Sequence, residues 1–179
     1  MKLILFNKPF RVISQFSSEG DKTTLAEFID IKNVYPAGRL DFDSEGLMVL
    51  TDDGKLQARI TSPDSKKYKT YLVQVEGELD RKALIKLQRG VELKEGRTLP
   101  ARVKKVAEPE ELWERTPPIR FRKDSPTSWL EVQIREGKNR QVRRMTAAVG
   151  HPALRLIRTQ IDEWDLSGLK PGEYRMVEQ

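Results

Sequence analysis

The stretch from Gly38 to Gly54, GRLDFDSEGLMVLTDDG, constrains this chain more than any other. Its second half, Leu47-Met48-Val49-Leu50, is a short apolar run suited to a buried strand, closed by the turn-forming Asp52-Asp53-Gly54. Its first half is polar and bracketed by Gly38 and Gly46, with Arg39 followed by Asp41 and Asp43 at alternate positions. Glycine at position 38 suits a backbone that turns tightly or passes close to a ligand. The guanidinium of Arg39 can grip a phosphate or stack on a base. A polar segment joined to a buried strand is where rigid scaffolds present chemistry. A surface loop with a capping aspartate would use the same residue types, so the rest of the chain must decide.

With 179 residues the chain can bury one substantial core, in one or two lobes, without staples. Lys and Arg number 33 against 27 Asp and Glu, a net charge of +6 that favours a polyanionic partner. There is no cysteine, which excludes disulfides, thiolate zinc sites and thiol nucleophiles. The one histidine, His151, excludes a multi-histidine metal site. No apolar run approaches the roughly 18 residues of a membrane span. The apolar part of MKLILFNKPF is too short for a signal peptide, so a cytoplasmic protein without membrane contact is expected.

Along the chain, Leu3 to Phe6 predicts a buried strand stopped at Asn7-Lys8-Pro9, and Val12 to Gln15 an extended resumption. Thr24 to Ile29 predicts a short helix, and Lys55 to Ile60 one or two helical turns. Tyr68 to Gly77 reads as a strand, with Lys69, Tyr71, Val73 and Val75 on one face by the period of two. Asp80 caps a helix to about Gln88, ended by Gly90. Val91 to Val106 predicts a hairpin around Glu95-Gly96, and 108–127, charged and proline-bearing, a long surface excursion. Trp129 to Ile134 predicts a strand, Asn139 a helix N-cap, Arg140 to Val149 a helix ended by Gly150, and Leu154 to Ile161 the last strand. Strands outnumber helices without regular alternation, which argues α+β with a mixed or mostly antiparallel sheet.

The helix at 140–149 is unusual. Val142, Met145, Thr146 and Val149 fall at i, i+3, i+4 and i+7 and should pack on the core. Arg140, Arg143 and Arg144 share a neighbouring arc, and like charges at that spacing destabilise an isolated helix. Either the arc is a solvated face with acidic neighbours, or it faces phosphates and a buried carboxylate. Asp41 is the carboxylate to pair, because a neighbouring cation keeps an aspartate ionised. An ionised aspartate beside a sugar can act as nucleophile or base at the anomeric centre. Tyr71 is either a core tyrosine with a bonded hydroxyl or a ring that stacks on a base.

GRLDFDSEGL followed by MVLTDDG resembles the signature segment of the RsuA-type pseudouridine synthases, a family that acts on ribosomal RNA. The chain resembles that group in order: NKP at Asn7 to Pro9, GRLD at Gly38 to Asp41, KTY at Lys69 to Tyr71, EGKNRQVRRM at Glu136 to Met145 and LRLIR at Leu154 to Arg158. TLPA (Thr98 to Ala101), PPIR (Pro117 to Arg120) and PTSWL (Pro126 to Leu130) further resemble a branch acting on the large ribosomal subunit.

The resemblance implies an α+β pseudouridine synthase fold, with a central sheet flanked by helices and an active-site cleft between two lobes. It implies isomerisation of a uridine in ribosomal RNA, most of all the 23S RNA, by a monomer needing no cofactor and no metal. Carried over by position, Asp41 is the catalytic aspartate, attacking C1′ or taking a proton from C2′. Tyr71 stacks on the uracil and helps remove the C5 proton, Arg143 is the basic partner of Asp41, and Leu156 is an apolar wall. Arg39 holds the flipped-out nucleotide or the strand it leaves. Lys69, Arg140 and Arg144 are RNA contacts. Many relatives carry an extra N-terminal RNA-binding domain of the S4 type, whereas here the NKP segment comes almost at once. Residues 1–179 are then expected to form a single catalytic domain whose own basic surface captures RNA.

Two other classes compete. A metal-dependent nuclease or phosphotransferase would gather Asp41, Asp43, Asp52 and Asp53 around Mg²⁺. A binding module would keep the fold without the chemistry. Asp43 and Glu45 are expected to bond the loop backbone, His151-Pro152 to end a helix, and Trp113, Trp129 and Trp164 to pack the interior. Lys66 and Lys67 form a basic run that phosphate could meet.

Overall fold

The apolar runs at the N-terminus and after Gly46 fold as strands β1 (Leu3–Lys8) and β3 (Glu45–Thr51), with the two-residue β2 (Tyr35–Pro36) between them in sequence. The structure, a computed structural model, describes residues 1–65, 67–120 and 124–178, so Lys66 lies outside the described residues. Two compact units divide the chain: 1–67 with 158–179, and 68–157.

In the first unit β1 and β3 pair antiparallel, from Leu3 opposite Thr51 to Lys8 opposite Gly46. Every residue of both strands is buried. Ile4, Phe6, Met48 and Leu50 pack with Leu25, Ile29, Val34 and Leu40, whereas Leu3, Leu5, Leu47 and Val49 pack with Leu56, Ile161 and Trp164. Cover on both faces explains apolar runs without alternation. The strand expected over 47–50 is longer because the ladder continues to Gly46, which takes Glu45 inside with it.

The helix expected over 24–29 is a single 3-10 turn, Leu25–Glu27, in which Phe28 N–H donates to Leu25 O at 3.0 Å. Helix α1 (Gly54–Thr61) starts where the Asp53 carboxylate accepts from Lys55 N–H at 3.0 Å.

The second unit contains β4 (Lys69–Glu76), α2 (Arg81–Arg89), β5 (Glu92–Leu93), β6 (Gly96–Arg97), β7 (Arg102–Val106), β8 (Thr127–Ile134) and α3 (Gln141–Ala148). Strand β8 lies between β4 and β7, antiparallel to both, with Tyr71 and Val103 each opposite Val132. Val73, Val75, Leu130 and Val132 form a core with Leu87 of α2 and Val142 and Met145 of α3. Asp80 caps α2, accepting from Ala83 N–H at 2.8 Å.

The hairpin expected over 91–106 is two structures. β5 and β6 form a minimal hairpin, and β7 pairs instead with the distant β8. Alternation in the sequence shows that a run is extended but not which partner it chooses.

Residues 107–120 and 124–126 hold no strand or helix, as the surface excursion predicted, yet they are tethered. Arg155 donates to Trp113 O at 2.9 Å, Arg115 to Leu154 O at 3.2 Å, and Gly77 N–H to Pro126 O at 2.8 Å.

Strand β9 (Ala153–Ile161) belongs to the second unit as far as Ile157 and to the first from Arg158. It is not the last strand. β10 (Trp164–Asp165) folds back on it, and β11 (Tyr174–Met176) pairs with β1, Phe6 opposite Tyr174. The architecture is α+β with a mixed sheet, as expected.

β1 ends in Lys8, whose side chain is fully buried. Its ammonium donates to Pro9 O at 2.9 Å and Val12 O at 2.8 Å. Burial pushes its pKa from 10.5 down to about 7; the carboxylates of Glu45, Asp43 and Asp41 resist the shift, and Arg158 adds to it. Between those two values the unfolded chain holds a proton that the folded chain has released, so stability rises with pH across the window and levels below it. Replacing Lys8 by Met should flatten this rise, by up to about 1 kcal/mol per pH unit. Urea denaturation of both proteins between about pH 8 and pH 9.5 checks it; parallel curves would refute it.

Gly46 yields a second expectation. Its φ is +113°, and a Cβ there would sit 2.2 Å from the carbonyl oxygen of Arg158. Backbone on both sides leaves nothing flexible to move, so Gly46→Ala should cost more than about 2 kcal/mol. Gly150, at φ +89° with nothing within 4 Å, should lose only about 1–2 kcal/mol as alanine. Thermal melts of the two variants should separate by several degrees.

Candidate active site

Asp41 stands on a loop whose backbone is fixed on both sides. Leu40, just before it, is buried, and its N–H donates to Ser14 Oγ at 3.0 Å while the Ser14 hydroxyl donates to Leu40 O at 2.5 Å. After it, Ser44 N–H donates to Asp41 O at 3.0 Å and Arg11 N–H to Phe42 O at 2.9 Å. Buried Arg158 reaches the same loop from β9, donating to Leu47 O at 2.9 Å and Arg39 O at 3.4 Å. Leu40 points inward, and its neighbours Arg39 and Asp41 are exposed and half-buried respectively. A short polar loop thus carries its carboxylate on a rigid mount.

Asp52 and Asp53 do not join it. Asp52 accepts from Lys2 N–H at 2.7 Å, and Asp53 is the cap of α1. Among the described residues no group of three or more His, Asp or Glu side chains is placed to hold a metal ion. The four-aspartate magnesium arrangement is therefore not formed. Asp43 and Glu45 are electrostatic neighbours of Lys8, and Glu45 is a buried strand residue.

In the second unit Tyr71 belongs to the core cluster that includes Leu156 and, from α3, Val142 and Met145. The expected stacking ring, the expected apolar wall and the arginine helix are thus packed together. Tyr71 is 9% exposed. Arg143 is half-buried on α3 and Arg140 is exposed just before it.

The approach to α3 differs from the expected asparagine cap. The capping position is Arg140, left-handed at φ +50°, with no side-chain cap bond. The turn is held instead by Glu136, which accepts from Leu99 N–H at 2.7 Å and from the Gln141 amide at 2.8 Å. Gln141 in turn accepts from Lys138 N–H at 3.1 Å. Lys69 sits beside this turn: a Cβ on Gly137 would lie 3.0 Å from its ammonium.

The cost of clustered arginines is offset in part by a carboxylate that the sequence did not single out. Arg144 bonds both oxygens of Glu95 on the β5–β6 hairpin and donates to Asn139 O at 2.9 Å. That hydrogen bond from Arg144 holds the Glu95 carboxyl below its usual range. His151 is structural, its Nδ1 2.8 Å from Glu76 O. Trp129 and Trp164 are buried, and Trp113 is half-buried under the Arg155 guanidinium at 5.9 Å. Exposed Lys67 lies 3.9 Å from Asp162.

Lys8, Ser14, Glu95, Glu136 and Arg158 are the supporting residues that sequence reading passed over. Lys8 and Arg158 carried a signal, each being a charge within an apolar strand. Ser14 carried none.

Comparison with known proteins places this geometry. The profile of the RNA pseudouridylate synthase family matches residues 2–148. The chain is 56% identical over 176 residues to ribosomal large subunit pseudouridine synthase E of Vibrio vulnificus strain CMCP6, covering 98% of this chain and 75% of that protein. It is also 56% identical over 176 residues to the protein of the same name from Xanthomonas campestris pv. campestris, covering 97% and 94%. A solved pseudouridylate synthase structure superposes with a TM-score of 0.80 at 30% identity, over 99% of this chain and 70% of that one. The chain belongs to the RNA pseudouridylate synthase family.

Proposed function

We propose that this protein converts uridine to pseudouridine in ribosomal RNA, specifically the 23S RNA of the large subunit, with Asp41 as the catalytic carboxylate. The observation that carries the substrate is the 56% identity, over nearly the whole chain, to proteins named ribosomal large subunit pseudouridine synthase E. Asp41 is supported by its place in the GRLD segment and by the loop that holds the backbone on both sides of it.

The reaction breaks the bond from C1′ to N1 of the uracil, rotates the ring and joins C5 to C1′; the C5 proton leaves to solvent and N1 takes up a proton from solvent, so the product is an isomer of the substrate. No electrons are gained or lost, so the balance calls for no redox cofactor. Asp41 either bonds C1′ and leaves again, or takes the C2′ proton; both routes need an ionised carboxylate held still. Tyr71 stacks on the detached ring and draws off the C5 proton. A ring fixed within a core cluster loses little freedom when a base packs on it. Arg143 is the basic residue of the reaction and Leu156 an apolar wall of the uracil site. Arg39, Lys69 and Arg140 hold the RNA backbone, and Arg144 shares its charge between RNA and Glu95. An enzyme of ribosomal RNA works where ribosomes are made, and the cytoplasm is the location that fits this reading.

The test is tritium release from ribosomal RNA labelled at uridine C5, with chelator present. Wild type should release tritium. Asp41→Asn should release it at least about 100-fold more slowly while binding RNA within about threefold of wild type. A fully active Asp41→Asn would remove Asp41 from the chemistry, and a wild type inert on both free and partly assembled RNA would leave a binding module. Tyr71→Phe keeps the ring and removes the hydroxyl. It should bind normally and lose at least about 100-fold in rate, whereas an unchanged rate would restrict Tyr71 to stacking.

A further inference from the structure

Several cations of the second unit have a carboxylate beside them. Lys104 lies 3.7 Å from Glu131, Lys105 lies 3.7 Å from Glu78, and Arg144 is bonded to Glu95. Arg102 and Arg135 are different. Among the described residues neither has a carboxylate within 4 Å; each is instead set over the ring of Tyr68, at 4.0 Å and 5.6 Å from its centroid. The Arg135 Nε is buried and makes no hydrogen bond to a described residue.

Register explains why these three side chains meet. Lys69 lies opposite Ile134, which puts Tyr68 at the level of Arg135 just past the end of the β4–β8 ladder. Arg102 lies opposite Gln133, two residues from Arg135 and so on the same face of β8. Arg102, Lys104, Glu131 and Gln133 also line an open groove of about 480 Å³ together with Gln88 of α2. That volume lies within the roughly 300–1,000 Å³ typical of small-ligand sites. Gln88 is tied to Val103 O at 2.9 Å, whereas the Gln133 amide has no hydrogen-bond partner among the described residues.

We propose that this cluster is a second RNA-binding site, in which Arg102 and Arg135 hold phosphates of a single-stranded segment of the substrate and the groove beside Gln133 receives one of its bases. The inference deepens the reading of the protein as an enzyme of ribosomal RNA and rests on it for the identity of the polymer. Two cations placed together without a counter-charge are costly unless an anion joins them. The Tyr68 ring, with guanidinium groups over it, is a mount that keeps the two cations near each other. Cations already held in place lose less entropy on binding phosphate. The groove selects single strand over duplex: an amide and a carboxylate pair with base edges, and a duplex turns its base edges inward.

The experiment measures equilibrium binding across salt concentration for the full chain and for the double variant Arg102→Gln, Arg135→Gln. The probes are an unstructured oligoribonucleotide, a duplex of the same sequence and a 23S RNA fragment. Two lost phosphate contacts should lower the slope of log K against log salt by about 1.4 for the single strand, and weaken binding about 25-fold near 0.1 M salt. The tritium-release rate at saturating RNA should not change. Lys105→Gln, which removes an already paired charge, should move the slope by less than half as much. If the double variant does not fold, Arg102→Gln alone, at an exposed position, should give half the slope change.

An unchanged slope and affinity would overturn the proposal, as would an equal loss on duplex RNA. A variant that binds normally while wild type converts RNA would end this proposal and leave the catalytic reading standing. A variant weakened on the single strand, with a wild type that converts no RNA, would do the reverse.

Discussion

The first unit depends on burying charge inside an apolar ladder. β1 and β3 are covered on both faces, and the register that aligns their apolar residues also carries Lys8 and Glu45 inside. Either one alone would be destabilising, since an unpaired buried ion costs several kcal/mol. Together, and with Lys8 donating to two carbonyls, they close the strand pair at the end from which the Asp41 loop departs. Apolar residues of matching volume would stabilise the ladder as well or better. What the charges add is a polar end to an otherwise featureless strand pair, where a slip of one residue would set Lys8 and Glu45 on the wrong faces.

From that end the loop is held by a few directional bonds. Ser14 takes both polar groups of Leu40, Arg158 takes Leu47 and Arg39, and a turn bond from Ser44 reaches Asp41 itself. These contacts go to backbone rather than to the carboxylate. They define where the side chain starts, which is how a rigid element would support a carboxylate in the proposed role. α3 is approached in the same manner: Glu136 and Gln141 settle the turn, leaving the left-handed Arg140 without a cap bond of its own.

Legibility in the sequence followed the range of the interaction. Caps and terminators were readable because they act within a few residues: Asp53 and Asp80 cap helices, and Gly90 ends one at φ +99°. Buried strands were readable from their apolar runs. Partner choice was not, because β7 and β11 pair with strands distant in sequence, and nothing local marks them. Asp41, Tyr71 and Arg143 are proposed from motifs and not from any local pattern. Ser14 was invisible because a serine bonding a backbone 26 residues away looks like any loop serine. Asn139 was misread as a cap because a side-chain cap is the commonest solution, and the Glu136–Gln141 pair supplies a different one.

The net charge of +6 gains meaning only when its cations are sorted by what stands beside them. Lys104, Lys105 and Arg144 are balanced by Glu131, Glu78 and Glu95, so on their own they add little to the field that a polyanion meets. Lys8 and Arg158 are buried and serve the loop of Asp41. On the described surface of the second unit, Arg102 and Arg135 flank Tyr68 with no carboxylate of a described residue within 4 Å. A count of basic residues therefore overstates the number that can meet RNA and hides their position. Subtracting the charges already answered within the fold leaves fewer cations for a phosphate to meet, and the two guanidinium groups mounted on Tyr68 are among them.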